Sequence, residues 1–255
     1  MKGRLFLLSQ LLRRDLTSRY AGSFGGPLWA LLNPLILCLL YGFVFAVILK
    51  LTPPAGFPGT YAEFLLAGLL PWIGCQEALL RSATSITDQA HLVKKLQFPV
   101  ALLVGSSIGA ALVLQFAALS VLGVFVVSSG RGALSPLALV AAASFQVLLL
   151  AGPGLLLASV NVFFRDLAQL LSPALQIVFY LTPILYPESL VPESIRGWLG
   201  LNPVRDLVAL YRLALFGGPG PDPVRVAIWS ALSVLVLGAG LRVFRRTRPA
   251  FSDLL

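Results

Sequence analysis

The chain has 255 residues, of which 58% are hydrophobic and only 11% charged, yet the formal net charge is +9 and the mean hydropathy is +0.90. Soluble domains carry about a quarter charged residues, and one core of this size cannot hide so much apolar surface. The composition therefore excludes an ordinary water-soluble domain and makes the bilayer the solvent. The high pI of 10.2 does not indicate nucleic acid, because the cations flank apolar runs instead of forming one stripe with interleaved aromatics.

Residues 1–26 come first. Leu5, Leu8, Leu12 and Leu16 recur at helical spacing, which predicts an amphipathic helix at the membrane interface with its arginines at headgroup level. Arg13, Arg14 and Arg19 are candidate contacts for an anionic lipid or a phosphate, since guanidinium binds phosphate oxygens in pairs. The basic stretch is followed by a run long enough to span, not by the short apolar core and small-residue cleavage site of a signal peptide.

A spanning helix needs about 20 mostly apolar residues. Six segments are predicted to span, at 27–49, 61–80, 99–127, 136–160, 167–186 and 224–243. Pro34, Pro71, Pro153, Pro173 and Pro183 fall inside them, tolerable where neighbours satisfy the freed carbonyls. The run Gly152, Pro153, Gly154 is expected to kink or loosen its helix, and Gly105 with Gly109 permits close helix contact. Cys38 and Cys75 lie in apolar runs and read as small core residues, neither disulfide framework nor metal site.

Between the second and third spans, residues 82–98 are the most polar connection. Ser85 or Asp88 is placed to cap a short helix carrying His91, Lys94 and Lys95, ending at Phe98 and Pro99. Glu77 and Arg81 are spaced to pair on one helix face. The later segment 187–223 is too long for a turn and too apolar for a solvated loop. Its run 204–216 holds Arg205, Asp206, Tyr211 and Arg212 and is short for a span, which suggests an interfacial or re-entrant helix. A second short helix at 194–201 would use Trp198 as an interface anchor.

Aromatics recur in three spans: Tyr41, Phe43 and Phe45, then Phe64 and Trp72, then Phe179, Tyr180 and Tyr186. Such rings are platforms for the C–H faces of sugars, and equally packing or interface anchors. Six spans put both termini on one side. Thirteen of the nineteen Lys and Arg residues fall there, and Lys50, Arg131, Arg196, Arg205, Arg212 and Arg225 fall on the other, so both termini are expected in the cytoplasm. No phosphate-cradling G-x-x-x-x-G-K-[ST] loop occurs, the sole histidine is His91, and acids are rare in the spans, which leaves no carboxylate relay for ion-driven transport. The chain reads as one all-α integral membrane domain over 1–255.

The order of these pieces resembles the permease subunits of type-2 ABC exporters of polysaccharides, which export O-antigen, capsule and teichoic acid. The resemblance is carried by Arg14-Asp15, Arg19-Tyr20, Ser23, Gly26, Trp29 and Pro34; by Phe64-Leu65 and the run from Gly68 to Trp72; and by Leu92 to Lys95 with Phe98-Pro99. It continues through Arg165-Asp166, Thr182-Pro183-Ile184, Tyr186-Pro187, Asn202-Pro203, Tyr211-Arg212 and residues 244–254, while Gly25 stands where the family usually has leucine. The resemblance implies a homodimer in the bacterial inner membrane that binds two copies of a separate ABC ATPase. It implies no cofactor in this chain, with ATP and Mg on the ATPase, and no enzymatic activity here. The stretch 82–98 would be a coupling helix, with Asp88, His91, Lys94, Lys95 and Phe98 meeting the ATPase. Arg13, Arg14 and Arg19 would border the access path of a lipid-linked polysaccharide among membrane lipids. Tyr41, Phe45, Phe64, Trp72, Phe179, Tyr180 and Tyr186 would line the channel, and Trp198, Arg205, Tyr211 and Arg212 would belong to an outer gate. An exporter of a small amphiphile with the same architecture is the alternative, followed by an enzyme acting on polyprenyl lipids, for which Asp15, Asp88 and Asp166 are the inner-face acids.

Overall fold

The computed structural model describes residues 2–18, 29–95 and 98–255, and every regular element among them is helical. Helix α1 spans Lys2–Ser18, and α2 spans Trp29–Gly42 and passes directly into a π-helical stretch, Phe43–Ile48. Then follow α3 (Tyr61–Thr84), α4 (Ala90–Lys95), α5 (Ala101–Ser128), α6 (Pro136–Phe163) and α7 (Leu167–Leu181). Beyond them lie α8 (Glu193–Arg196), α9 (Pro203–Phe216), α10 (Pro223–Thr247) and α11 (Phe251–Leu254), with 3-10 turns at Glu188–Leu190, Gly197–Leu201 and Arg248–Ala250.

Four of these helices, α3, α5, α6 and α10, are long and apolar enough to cross a membrane. The other two expected spans, 27–49 and 167–186, correspond to shorter apolar helices, Leu35–Ile48 and Leu167–Leu181. The end of α7 has a local cause. Thr182 precedes Pro183 and takes extended backbone, with φ −97 and ψ 134, as the residue before proline tends to do. The helix therefore stops at Leu181 instead of reaching 186. Elsewhere the long helices overrun their expected ends: α3 continues to Thr84, α6 to Phe163 and α10 to Thr247.

Three helices start at a polar cap followed by proline. Ser135, Asn202 and Asp222 accept hydrogen bonds from the backbone N–H groups of Ala138, Val204 and Val224, and Pro136, Pro203 and Pro223 occupy the first helical position, where no N–H is needed. Helix α3 opens with a reciprocal capping box between Thr60 and Glu63.

Two expectations are refined. Helix α6 stays α-helical through Gly152, Pro153 and Gly154. These glycines serve close packing: a Cβ on Gly152 would lie 2.7 Å from the backbone nitrogen of Leu237, and one on Gly240 would lie 2.8 Å from the Gly152 carbonyl oxygen. The missing side chains let α6 and α10 meet backbone to backbone. In the stretch 82–98, residues 82–84 still belong to α3, and the short helix beyond it is Ala90–Lys95. Ser85 does not start that helix; it closes α3, and its hydroxyl donates to the Ser82 carbonyl at 2.8 Å.

The bundle has two ends. One carries α1, α4 and α11, and α1 lies along the start of α5, with Leu8 over Gly105 and Leu12 over Gly109. The opposite end carries the connections 49–60 and 129–135 and the last turn of α9. There Phe57 meets Phe216 at 4.6 Å, and the Ser135 N–H donates to the Ala214 carbonyl at 2.8 Å. Helix α1 was expected over 1–26; its described part ends at Ser18, and Arg19 with the rest of 19–28 lies outside the described residues.

Candidate functional site

Helix α9 is the pivot of the arrangement. It is too short to cross a bilayer, yet it is wedged against α3 and α6 and buries Asp206, Leu207, Val208, Leu210, Tyr211, Ala214, Leu215 and Phe216. An apolar cavity of about 310 Å³ lies beside its first turn, lined among others by Trp72, Cys75, Pro153, Pro203 and Trp229.

Tyr211 points from α9 into the bundle, where two glutamines meet it. Gln115, in the middle of α5, donates to Gln146 Oε1 at 2.9 Å, and Gln146 on α6 donates back to Gln115 Oε1 at 2.7 Å. The Tyr211 hydroxyl donates to Gln146 Oε1 at 2.5 Å and accepts from Gln115 Nε2 at 3.1 Å. The Cys75 sulfur lies 3.3 Å from Gln146 Nε2. All are buried. A Cβ on Gly74 would overlap the Gln115 carboxamide, so that glycine makes the room. Polar groups removed from water are costly unless bonded, and here each amide satisfies the other across three helices.

Arg212, the next residue, points the other way. Its Nη1 donates to the Pro183 carbonyl at 3.1 Å, and its Nη2 donates to those of Ile184 at 3.1 Å and Phe64 at 3.3 Å. The guanidinium carbon stands 3.6 Å above the Phe64 ring, a cation–π contact. Burial pulls this guanidinium down to about 9, so it remains a cation at neutral pH. It thereby satisfies carbonyls freed where α7 breaks, and the Tyr61 hydroxyl does the same for Leu185.

Ion pairs surround this wedge. Arg225 at the start of α10 binds the buried Asp206 carboxylate at 2.9 Å. Burial pushes that carboxyl up, against the pull of Arg225. Arg205 makes a two-pronged pair with Glu188 at 2.6 and 2.5 Å, which holds its guanidinium above the usual range. Arg131 binds Glu63 at 3.2 Å. Trp198, by contrast, is 71% exposed. Of the four residues assigned to an outer gate, Tyr211 and Arg212 are thus interior anchors of α9, Arg205 ties it to the turn at Glu188–Leu190, and Trp198 stands apart on the surface.

The aromatic residues form a partial line. Tyr41 meets Phe179 at 5.9 Å, Trp72 meets Phe179 at 5.7 Å, and Phe179 meets Tyr180 at 5.2 Å. Phe45 touches Tyr41 at 6.4 Å. Within one chain Phe64, Trp72 and Phe179 are buried, whereas Tyr180 faces outward and Tyr41, Phe45 and Tyr186 are half-buried. The Tyr186 hydroxyl donates to the Tyr180 carbonyl at 2.9 Å.

At the terminal end, the turn 85–89 and α4 form a small polar platform. Asp88, His91 and Lys94 are exposed, Ile86 is fully buried beneath them, and Leu92 and Val93 pack inward. Phe98 is buried in the core and is not presented beside His91 and Lys94. The Lys95 side chain lies outside the described residues. Arg13 and Arg14 are exposed on α1; Arg14 donates to the Gln89 side chain, and Asp15 lies 3.7 Å from Arg81, which also binds Glu77 as its spacing predicted.

Sequence reasoning missed Gln115 and Gln146. Their signal was present, because a lone glutamine in a long apolar helix must find a partner. What no pattern revealed was that the two would find each other and Tyr211.

Comparison with known proteins matches residues 7–216 to the membrane family described as ABC-2 type transporter. The chain is 33% identical over 254 residues to the O-antigen export system permease protein RfbA of Myxococcus xanthus, covering 97% of this chain and 94% of that protein. It is 28% identical over 261 residues to the protein of the same name from Klebsiella pneumoniae, covering 99% and 96%. It is 25% identical over 243 residues to the polysialic acid transport protein KpsM of Escherichia coli, covering 94% and 93%.

Proposed function

Since this chain belongs to the ABC-2 type transporter family, we propose that it is the membrane subunit of an ATP-driven polysaccharide exporter. It would move a lipid-linked glycan of the O-antigen kind from the cytoplasm to the outer face of the inner membrane. The observation that carries the reading is end-to-end likeness to O-antigen export permeases, with nearly the whole of both chains aligned. In this reading α2 with its π-helical stretch and α7 complete six crossings, and the 1–255 chain is one transmembrane domain. Both termini face the cytoplasm, supported by the thirteen cations that flank the spans on that side. Two copies associate with two ATPase subunits, which hold ATP and Mg.

The exposed platform of Asp88, His91 and Lys94 on a buried base is suited to receive the ATPase. Arg13 and Arg14 on α1, with Arg19, are suited to meet the phosphate of the lipid carrier. Tyr41, Phe45, Tyr180 and Tyr186 present ring surface toward the path, backed by Phe64, Trp72 and Phe179. Segment 187–216 bounds the exit.

Co-reconstitution with the ATPase and a fluorescent lipid-linked glycan tests the proposal. The expected result is ATP-dependent movement of the glycan across the bilayer. Movement of a small amphiphile but not of the glycan would overturn it.

A further inference from the structure

The segment after α10 does more than end the chain near the membrane. At the 3-10 turn Arg248–Ala250 the backbone enters α11, which lies against α4 and α6. Phe251 is fully buried. Its ring meets Phe244 of α10 at 5.6 Å and Phe163, the last residue of α6, at 6.4 Å. Leu255 packs on the same core that receives Leu92 and Val93 of α4. Arg248 reaches across to donate to the Phe98 carbonyl at 3.2 Å, and so holds the far side of the connection from α4 to α5.

Helix α4 has six residues, far below the length at which a helix is stable alone. Its position must come from what it rests on. Chain connectivity ties it to α3 and α5, whereas the tail ties it to α6 and α10. We infer that Phe251 and Arg248 are positioning residues for the docking platform: they seat α4 at the height where the ATPase meets it and pass its displacement to α6 and α10. The inference rests on reading α4 as the docking element.

The test uses the assembled transporter in proteoliposomes and reads glycan moved per ATP hydrolysed. Phe251→Ala is expected to lower that ratio several-fold while ATP hydrolysis continues, and Phe251→Leu, which refills most of the seat, is expected to restore it. A merely structural role would lower the amount of transporter and leave the ratio unchanged, and that result overturns the inference. Should Phe251→Ala fail to reach the membrane, Arg248→Ala decides, because it removes one hydrogen bond and keeps the packing: a lowered ratio supports the inference and a normal one overturns it. The double variant His91→Ala with Lys94→Glu separates the two layers. If it keeps the wild-type ratio, the docking reading falls and the inference with it. If it lowers the ratio while Phe251→Ala does not, the inference alone falls.

Discussion

Removing the Tyr211 hydroxyl should cost far less than removing the Gln146 carboxamide, although both belong to one network. In Tyr211→Phe, Gln146 Oε1 still receives Gln115 Nε2 at 2.9 Å and Gln115 Oε1 still receives Gln146 Nε2 at 2.7 Å. No group is orphaned, so the loss is that of the hydroxyl's two interhelical hydrogen bonds, about 0.6 kcal/mol each in a membrane and about 1.2 kcal/mol together. In Gln146→Leu, Gln115 Oε1 loses its donor and the Tyr211 hydroxyl loses its acceptor. Each unsatisfied buried group costs about 1–3 kcal/mol, so roughly 2–6 kcal/mol is expected in total. The triple variant Gln115→Leu, Gln146→Leu, Tyr211→Phe removes the three mutually bonded groups at once and should be more stable than Gln146→Leu alone. Thermal unfolding of the purified protein in detergent, followed by size-exclusion chromatography, gives the order. Equal losses for Tyr211→Phe and Gln146→Leu, or a triple variant worse than the single, would refute the reciprocal network.

Three further outcomes are expected. Gly240→Ala should destabilise by about 1–3 kcal/mol, because its Cβ meets the Gly152 carbonyl at 2.8 Å, while Gly238→Ala on the same helix has open space and should be neutral or slightly stabilising in the same melting assay. Arg212→Met should loosen the break after α7 and open residues 182–186 to limited proteolysis, with Arg212→Lys intermediate, since an ammonium keeps the charge but not the fork that spans three carbonyls. Asp206 has its pKa raised by burial, so the folded state binds its proton more readily than the unfolded one. Stability should then rise as pH falls through the window between the raised value and the ordinary carboxylate range, and Asp206→Asn should flatten that part of a melting-against-pH profile.

Several features were legible because they are local. The helix starts at Pro136, Pro203 and Pro223 are written as a polar residue followed by proline, and the pair of Glu77 with Arg81 follows from helical spacing. The run 204–216 is legible as non-crossing from its length, and it lies in a helix of fourteen residues, Pro203–Phe216. What could not be read was direction. Tyr211 and Arg212 are adjacent in sequence but project to opposite sides of α9, one toward α5 and α6 and the other toward α3 and the end of α7. The Gly-Pro-Gly run carries the chemistry of a kink, and only the neighbouring backbone of α10 reveals that its smallness serves contact. Phe98 closes a polar stretch in sequence, yet as one large apolar residue before a proline it serves as a core anchor.

The seat of α1 on α5 has a mechanical side. Leu8 and Leu12 rest on Gly105 and Gly109 through dispersion alone, whereas Arg14 and Asp15 grip Gln89 and Arg81 through polar bonds. Displacement along α5 breaks no hydrogen bond; lifting away from Gln89 and Arg81 does. When the turn 85–89 shifts, α1 is therefore expected to travel with it and skate over α5, so that one stroke moves the amino-terminal arginines together with the platform. In the middle of the bundle the amide pair, and beyond it Arg212, resist shear. The molecule thus joins an apolar, hydrogen-bond-free contact at its terminal end to a bonded joint in its interior.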